Sequence, residues 1–88
     1  MNNKSFKQLL LALMYNDGYR YLARDPVYGR LHAFKSKPWI KGYEYWVSSD
    51  GTMLISHPFD IFDEIDRVCS EPTLIKYILN YKFLEVIQ

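Results

Sequence analysis

The chain has 88 residues, of which 49% are hydrophobic and 17% aromatic, and its formal net charge is +1 at pH 7. This composition excludes intrinsic disorder, because enough apolar surface is present to build a core, and the length fits a single domain over residues 1–88. The longest apolar run, residues 9–14, is too short to span a membrane, and no signal peptide is visible. Cys69 is the only cysteine, so no internal disulfide can form. We therefore expect a cytoplasmic protein.

The first predicted element is a helix that begins near Ser5. Ser5 and Gln8 have the spacing of a capping box, in which each side chain satisfies an orphan amide of the first turn. Gly18, which follows Asn16 and Asp17, can adopt the left-handed conformation that ends a helix. The apolar positions with helical spacing are Phe6, Leu9, Leu10 and Leu13.

Two strands and a turn are predicted next. Residues 19–25, YRYLARD, alternate as a strand does, and residues 30–37, RLHAFKSK, fit the returning strand. Pro26 and Gly29 indicate the turn between them, because proline fixes φ and glycine tolerates a positive one. Pro38 ends the second strand, since it lacks the amide that a central strand needs.

The strongest local signal is Asp50-Gly51, a pair preferred in two-residue hairpin turns. It predicts a hairpin in which Val47 lies opposite Leu54 and Trp46 opposite Ile55. Such a sheet is apolar on both faces, so we expect the first helix to cover one face and the C-terminal segment the other.

The C-terminal third is predicted to be mostly helical. Pro58 suits a first helical position, and the acidic residues after it favour the N-terminal end of a helix over residues 58–70. A strand over residues 65–70 is the alternative. Residues 73–80 fit a further helix, and residues 81–87 an edge strand. The fold class is therefore α+β: a largely antiparallel sheet of four to five strands, an N-terminal helix and short C-terminal helices.

A basic and aromatic stretch is the first candidate surface. Lysines beside exposed rings could track phosphates and stack on bases. However, strand alternation places about half of the rings towards the core, and a net charge of +1 is far from a strongly basic footprint. The pattern favours a sheet core with a lysine-fringed edge, and direct nucleic-acid binding is disfavoured. The candidate contact residues are Lys35, Lys37, Trp39, Lys41 and Tyr43.

An acidic cluster is the second candidate surface. Residues 1–47 contain eight basic and three acidic residues, a net charge of +5, whereas residues 48–88 contain three basic and seven acidic residues, a net charge of −4. The cluster has no central glycine as a calcium loop would. It is either a solvated helix face or a contact surface for a basic partner protein. Its candidate contact residues are Asp60, Asp63, Glu64 and Asp66.

No catalytic or cofactor-binding pattern stands out. His32 and His57 have no cysteine or carboxylate at the spacing of a metal site, and Cys69 has no histidine nearby in sequence to act as its base. No glycine-rich loop has the phosphate-binding pattern. We therefore expect a protein that is not an enzyme and that needs no metal or other cofactor.

Four segments together resemble a group of small phage and prophage proteins of Gram-positive bacteria. They are YRYLARD (19–25), LHAFKSKP (31–38), the tryptophan-bearing YEYWVSS (43–49) and IDRVCSEP (65–72), and the resemblance spans about residues 5–75. These motifs are structural. The resemblance implies a phage accessory protein that works by stoichiometric binding to a host protein, and anti-CRISPR proteins are the nearest class with a known role.

The expected function is therefore inhibition of a host defence protein, such as a CRISPR nuclease or another nucleic-acid-handling enzyme. A small DNA- or RNA-binding regulator and a homo-oligomeric phage accessory protein are the alternatives. No membrane partner is expected, and a homodimer remains open.

Overall fold

The computed structural model describes residues 3–66 and 71–87 and shows an α+β protein. The predicted fold class is confirmed, with an N-terminal helix and a four-stranded antiparallel sheet, to which a separate two-stranded hairpin is added. The helices are α1 (Asn3–Asn16) and α2 (Lys82–Ile87), with a 3₁₀ turn at Ile75–Tyr77. The strands are β1 (Tyr21–Arg24), β2 (Leu31–Phe34), β3 (Trp39–Lys41), β4 (Tyr45–Val47), β5 (Met53–Ile55) and β6 (Thr73–Leu74).

Helix α1 ends where the sequence predicts. Gly18 has φ +102°, the Gly18 amide donates to the carbonyl of Tyr15, and the Tyr19 amide donates to that of Met14. These two bonds form the Schellman motif, which satisfies carbonyls that the last turn leaves unpaired.

The start of α1 differs from the prediction. Ser5 lies inside the helix, and Gln8 does not cap it. The Gln8 amide donates to the Ile78 carbonyl at 2.9 Å, and its oxygen accepts from the Asn80 amide at 2.6 Å. The capping-box prediction was therefore wrong, because both polar groups of Gln8 are used to hold the C-terminal segment against α1.

The buried stripe of α1 is also rotated from the predicted one. Leu13 is exposed, whereas Leu11, Ala12 and Met14 are buried. Leu10 is half-buried and packs against the same cluster. The buried stripe is therefore shifted by about one residue from the predicted positions Leu9 and Leu13. Every position from 9 to 14 is apolar, so periodicity alone did not orient the helix.

The four-stranded sheet has the order β5-β2-β1-β6, and all its pairings are antiparallel. The predicted turn after β1 is confirmed: Gly29 has φ +73°, and the Asp25 carboxylate accepts hydrogen bonds from the amides of Val27 and Tyr28. This turn aligns Leu22 with Ala33, and on the other side of β2 Leu31 lies opposite Ile55.

The predicted hairpin about Asp50-Gly51 was wrong in its strand partners. Strand β4 pairs with β3, where Trp46 lies opposite Ile40, and β5 pairs with β2. Gly51 does have a positive φ of +84°, but the Asp50 carboxylate accepts from the hydroxyls of Ser36 and Ser48 within a longer loop. Pairing with β2 buries Ile55 in the main core, which a hairpin with β4 would not do.

The two faces of the sheet are covered by different elements. Leu22, Leu31, Ala33 and Ile55 face α1 and join its buried residues in the main core. Ala23 and Phe34 are buried outside that cluster on the opposite face. His32 is on this second face and lines a groove with Tyr45, Trp46 and Val47, so the β3–β4 hairpin lies over it. The expectation that the C-terminal segment covers this face was wrong, because α2 packs against α1 instead.

The C-terminal third departs most from the prediction. The described part of the predicted helix, residues 58–66, is a loop that begins with a cis bond between His57 and Pro58. Residues 73–74 form an edge strand followed by the 3₁₀ turn instead of a helix, and the predicted edge strand at 81–87 is largely helix α2. Most of the alternative strand at 65–70 lies outside the described residues, and so does Cys69.

These differences have a packing cause. Phe62 and Ile65 are buried, but they reach the core from a loop and not from a helix. In α2, Phe83, Leu84 and Ile87 pack on the main core at helical spacing. Within residues 3–66 and 71–87, no helix combines the length and apolar character needed to cross a bilayer.

Candidate protein-binding hairpin

The β3–β4 hairpin turns tightly around a glycine and a tyrosine. The Glu44 amide donates to the Lys41 carbonyl at 3.1 Å, and the two residues between them, Gly42 and Tyr43, have φ of +62° and +60°. Positive φ at both central residues defines the primed turn whose twist suits a hairpin. Tyr43 is the one non-glycine residue of the described chain with a positive φ.

The hairpin carries four exposed large hydrophobic side chains within seven residues. The exposed fractions are 53% for Trp39, 39% for Ile40, 85% for Tyr43 and 42% for Tyr45. The register places Trp39 opposite Val47 and Lys41 opposite Tyr45, so these four side chains share one face of the hairpin. Exposed tryptophan and tyrosine next to a cation are typical of the anchoring residues of protein interfaces.

A half-buried hydrogen bond attaches the hairpin to the main sheet. Trp46 points to the side opposite Trp39, and its indole N–H donates to the backbone carbonyl of Arg24 at 3.0 Å. Arg24 ends β1, so the hairpin is attached at the end of a central strand of the four-stranded sheet. This attachment limits the motion of the hairpin relative to the sheet and lowers the entropic cost of binding.

Arg24 also organises the acidic loop. Its guanidinium donates all five of its N–H groups: two to the Asp60 carboxylate, and one each to the carbonyls of Gly29, Phe62 and Ile65. The hydrogen bond from Arg24 holds the pKa of Asp60 below its usual value, and the same bond raises the pKa of Arg24. The backbone carbonyl and the side chain of one residue thus hold the hairpin and the acidic loop to the same strand.

The four predicted acidic contact residues lie on this loop and not on a helix. Asp60 is paired with Arg24, and Glu64 accepts two hydrogen bonds of 2.9 Å from Lys7 of α1. Asp63 and Asp66 are exposed and line a polar groove with Arg24. Asp60 and Glu64 therefore serve the fold directly, which reduces the charge that the loop offers to a partner.

The five predicted basic and aromatic residues divide into two groups. Trp39, Lys41 and Tyr43 lie together on the hairpin. Lys35 and Lys37 precede it: the Lys35 ammonium lies 5.2 Å from the centre of the Tyr19 ring, and that of Lys37 lies 3.9 Å from the Glu71 carboxylate. These two lysines are exposed, but each interacts with a side chain of its own chain.

Sequence reasoning missed Ile40 and Tyr45 as surface residues and Arg24 as the organising cation. The segment WIKGYEYW, with apolar and aromatic residues on both sides of Lys41-Gly42, was a usable hairpin signal for the first two. For Arg24 the sequence offers no local signal, because its partners are up to 41 residues away.

The part of the chain that the structure describes holds no group of three or more histidine, cysteine, aspartate or glutamate side chains placed to bind a metal ion. No protein-family model, curated protein or solved structure matches this chain.

Proposed function

We propose that this protein acts without catalysis, by binding a partner protein through the β3–β4 hairpin. The observation that carries the proposal is the exposure of Trp39, Ile40, Tyr43 and Tyr45 on one small, anchored element. Large aromatic side chains supply most of the binding energy in interfaces, because they bury much apolar area at a small cost in conformational entropy.

The partner that we propose is a host defence protein that handles nucleic acid, with a CRISPR nuclease as the specific candidate, and the protein would be a phage-encoded inhibitor of it. The support is the resemblance of the strand motifs to small phage proteins, together with the acidic loop, which Arg24 holds to the same strand as the hairpin. Enzymes that handle nucleic acid carry basic grooves, and Asp63 and Asp66 give the loop exposed charge of the opposite sign.

A cleavage assay with purified CRISPR nucleases and their guide RNAs tests this proposal. Inhibition is expected to saturate at a fixed ratio of protein to nuclease and to stay constant with time. Trp39→Ala and Tyr45→Ala should each weaken inhibition by at least about tenfold, since a central interface aromatic contributes roughly 2 kcal/mol or more.

Tyr77→Ala is the matched control, because Tyr77 is 75% exposed on the 3₁₀ turn, away from the hairpin. It should inhibit as the unchanged protein does. Hairpin variants that inhibit equally well would contradict the hairpin as the contact surface. Inhibition at substoichiometric amounts that grows with time would show turnover and contradict the proposal as a whole.

Single-stranded nucleic-acid binding is a second candidate, and the exposed rings of Trp39 and Tyr43 on either side of Lys41 favour it. Such rings can stack on bases while lysines contact phosphates. Fluorescence anisotropy with a labelled oligonucleotide separates the two candidates. Binding that falls steeply with salt and is lost in Lys35→Ala/Lys37→Ala would favour nucleic acid, whereas no binding at moderate salt leaves the protein partner as the better proposal.

A further inference from the structure

A groove of about 250 Å³ lies where the hairpin meets the second face of the four-stranded sheet. Tyr45, Trp46 and Val47 line it from the hairpin, and His32 and Thr52 line it from the sheet and the loop before β5. An apolar cavity of about 150 Å³ is enough to hold benzene, so this groove has room for one planar ring.

The hydrogen bonds around His32 define which ring nitrogen carries the proton. The Thr52 hydroxyl donates its one hydrogen to the carbonyl of Ala33 at 3.2 Å, and His32 Nδ1 lies 3.1 Å from the same hydroxyl oxygen. Because that hydrogen is already used, the hydroxyl accepts from His32, and Nδ1 is the protonated nitrogen. In the neutral ring, Nε2 is therefore an acceptor.

Nε2 has no hydrogen-bond partner among the described residues, and none of their buried side-chain nitrogens or oxygens lacks a partner. Nε2 is therefore accessible to solvent, on a side chain that lines the groove. The pKa of His32 is lowered by burial and then by the charge of Arg30, which keeps the ring neutral near pH 7.

The charged groups of the groove do not favour an anionic ligand. Arg30 and Asp25 lie at its end, and their side chains are paired at 3.4 Å, so the positive charge is already balanced. Apart from His32 and Thr52, the remaining lining is aromatic and aliphatic, and Trp46 is the aromatic residue on the hairpin face that turns towards the sheet. The groove thus offers aromatic walls and one fixed acceptor.

We propose that this groove binds a single nucleobase, which stacks on Trp46 and donates an exocyclic N–H to His32 Nε2. The site shares Tyr45 with the protein-binding surface proposed above, but its other residues lie in the groove under the hairpin and not among the exposed side chains of that surface. The same chemistry is offered by a free nucleoside and by a base within a single strand.

The test uses a Trp39→Phe background, in which Trp46 is the only tryptophan and its fluorescence reports on the groove. Adenosine is titrated against N6,N6-dimethyladenosine, which lacks the exocyclic N–H. Adenosine should change Trp46 emission with saturation and shift the His32 Nε2 resonance in ¹⁵N spectra, and the dimethyl analogue should bind at least tenfold more weakly. Absence of saturable binding up to millimolar adenosine, or equal binding of the two ligands, would overturn the proposal.

Two histidine variants identify the acceptor. His32→Phe, which keeps a flat ring without the acceptor, should lose at least tenfold in affinity, and the control His57→Phe should lose none. If His32→Phe fails to fold by circular dichroism, His32→Gln takes its place, because its amide oxygen restores an acceptor and should keep adenosine discrimination. Unchanged affinity in a folded His32→Phe would overturn the proposal.

A titration with oligo-dA distinguishes between the two sources of the base. Binding that is tighter per base than that of adenosine and weakens with salt assigns a base within a strand. Equal affinity without salt dependence assigns the free nucleoside.

Discussion

The guanidinium of Arg24 and the carboxylate of Asp60 form a two-pronged ion pair, with Nη1 to Oδ2 at 2.7 Å and Nη2 to Oδ1 at 2.9 Å. Two further hydrogen bonds from Arg24, to the carbonyls of Phe62 and Ile65, close the loop of residues 60–65 over the end of β1, and a third goes to the carbonyl of Gly29 in the turn after β1. The pair is largely shielded, with side-chain exposures of 13% and 22%. This loop stays in place without a helix because Arg24 replaces the hydrogen bonds that helical turns would have made.

Replacing Arg24 by lysine should therefore lower the free energy of unfolding by roughly 2–4 kcal/mol, because an ammonium keeps the charge but has no planar fork of five donors. Urea unfolding monitored by circular dichroism measures this change. The control is Glu64→Gln, which breaks the more exposed pair with Lys7 and should cost less than about 1 kcal/mol. Equal costs for the two variants would contradict the role given to Arg24.

The sequence predicted those features that depend on a few neighbouring residues. Gly18 ends α1, and Pro26 with Gly29 turns the chain between β1 and β2, because glycine and proline restrict the backbone where they stand. The helix predicted over residues 58–70 was wrong over its described part, because long-range bonds from Arg24 hold Phe62 and Ile65 in a loop.

Strand pairing and the site depended on similar long-range effects. The Asp50-Gly51 signal located a turn correctly but not the partners of the strands, because β5 gains more burial beside β2. For the site, the sequence identified Trp39, Lys41 and Tyr43, which the hairpin brings together. The sequence did not show which aromatic side chains would be exposed. That depends on the hydrogen bond of the Trp46 indole, which decides the face of the hairpin that turns towards the sheet.

Acid should destabilise the protein in two stages. Burial lowers the pKa of His32 from 6.5, so the unfolded chain takes up a proton first, and stability falls as the pH drops below that value. The hydrogen bond from Arg24 lowers the pKa of Asp60 from 3.8, so the stability that this carboxylate adds is present above that pH and is lost as the pH falls through the lower folded value.

Thermal midpoints measured from about pH 7 down to about pH 3 follow both stages. His32→Gln should remove most of the loss of stability in the first stage. Asp60→Asn should lower stability at pH 7 and should make the loss of stability in the second stage smaller. A midpoint that stays level until the carboxylate range in the unchanged protein would contradict the contribution of His32.

A substitution of Tyr43 is expected to affect stability and binding differently. A left-handed conformation costs a non-glycine residue about 1 kcal/mol, and Tyr43 holds it at φ +60° with 85% of its side chain exposed. Tyr43→Gly relieves this strain while deleting the ring. We expect a thermal midpoint that is unchanged or higher, together with weaker binding to the partner protein. A variant that binds as well as the unchanged protein would exclude Tyr43 from the contact surface.

The acidic loop is expected to affect the rate of association more than the lifetime of the complex. Asp63 is exposed beside the polar groove, and charges at the rim of an interface steer the approach of an oppositely charged partner. Asp63→Asn should therefore slow association with a nuclease that carries a basic groove, reduce the dependence of that rate on salt, and leave dissociation nearly unchanged.

Surface plasmon resonance at two salt concentrations measures these rates. The matched control is Asp17→Asn, because Asp17 is an exposed carboxylate after the end of α1, and its loss changes the net charge by the same amount. If steering is local to the loop, the control binds as the unchanged protein does. If both variants slow association equally, the total charge is responsible and the acidic loop has no directing role. If neither variant changes the association rate, the hairpin aromatics are the whole of the recognition surface.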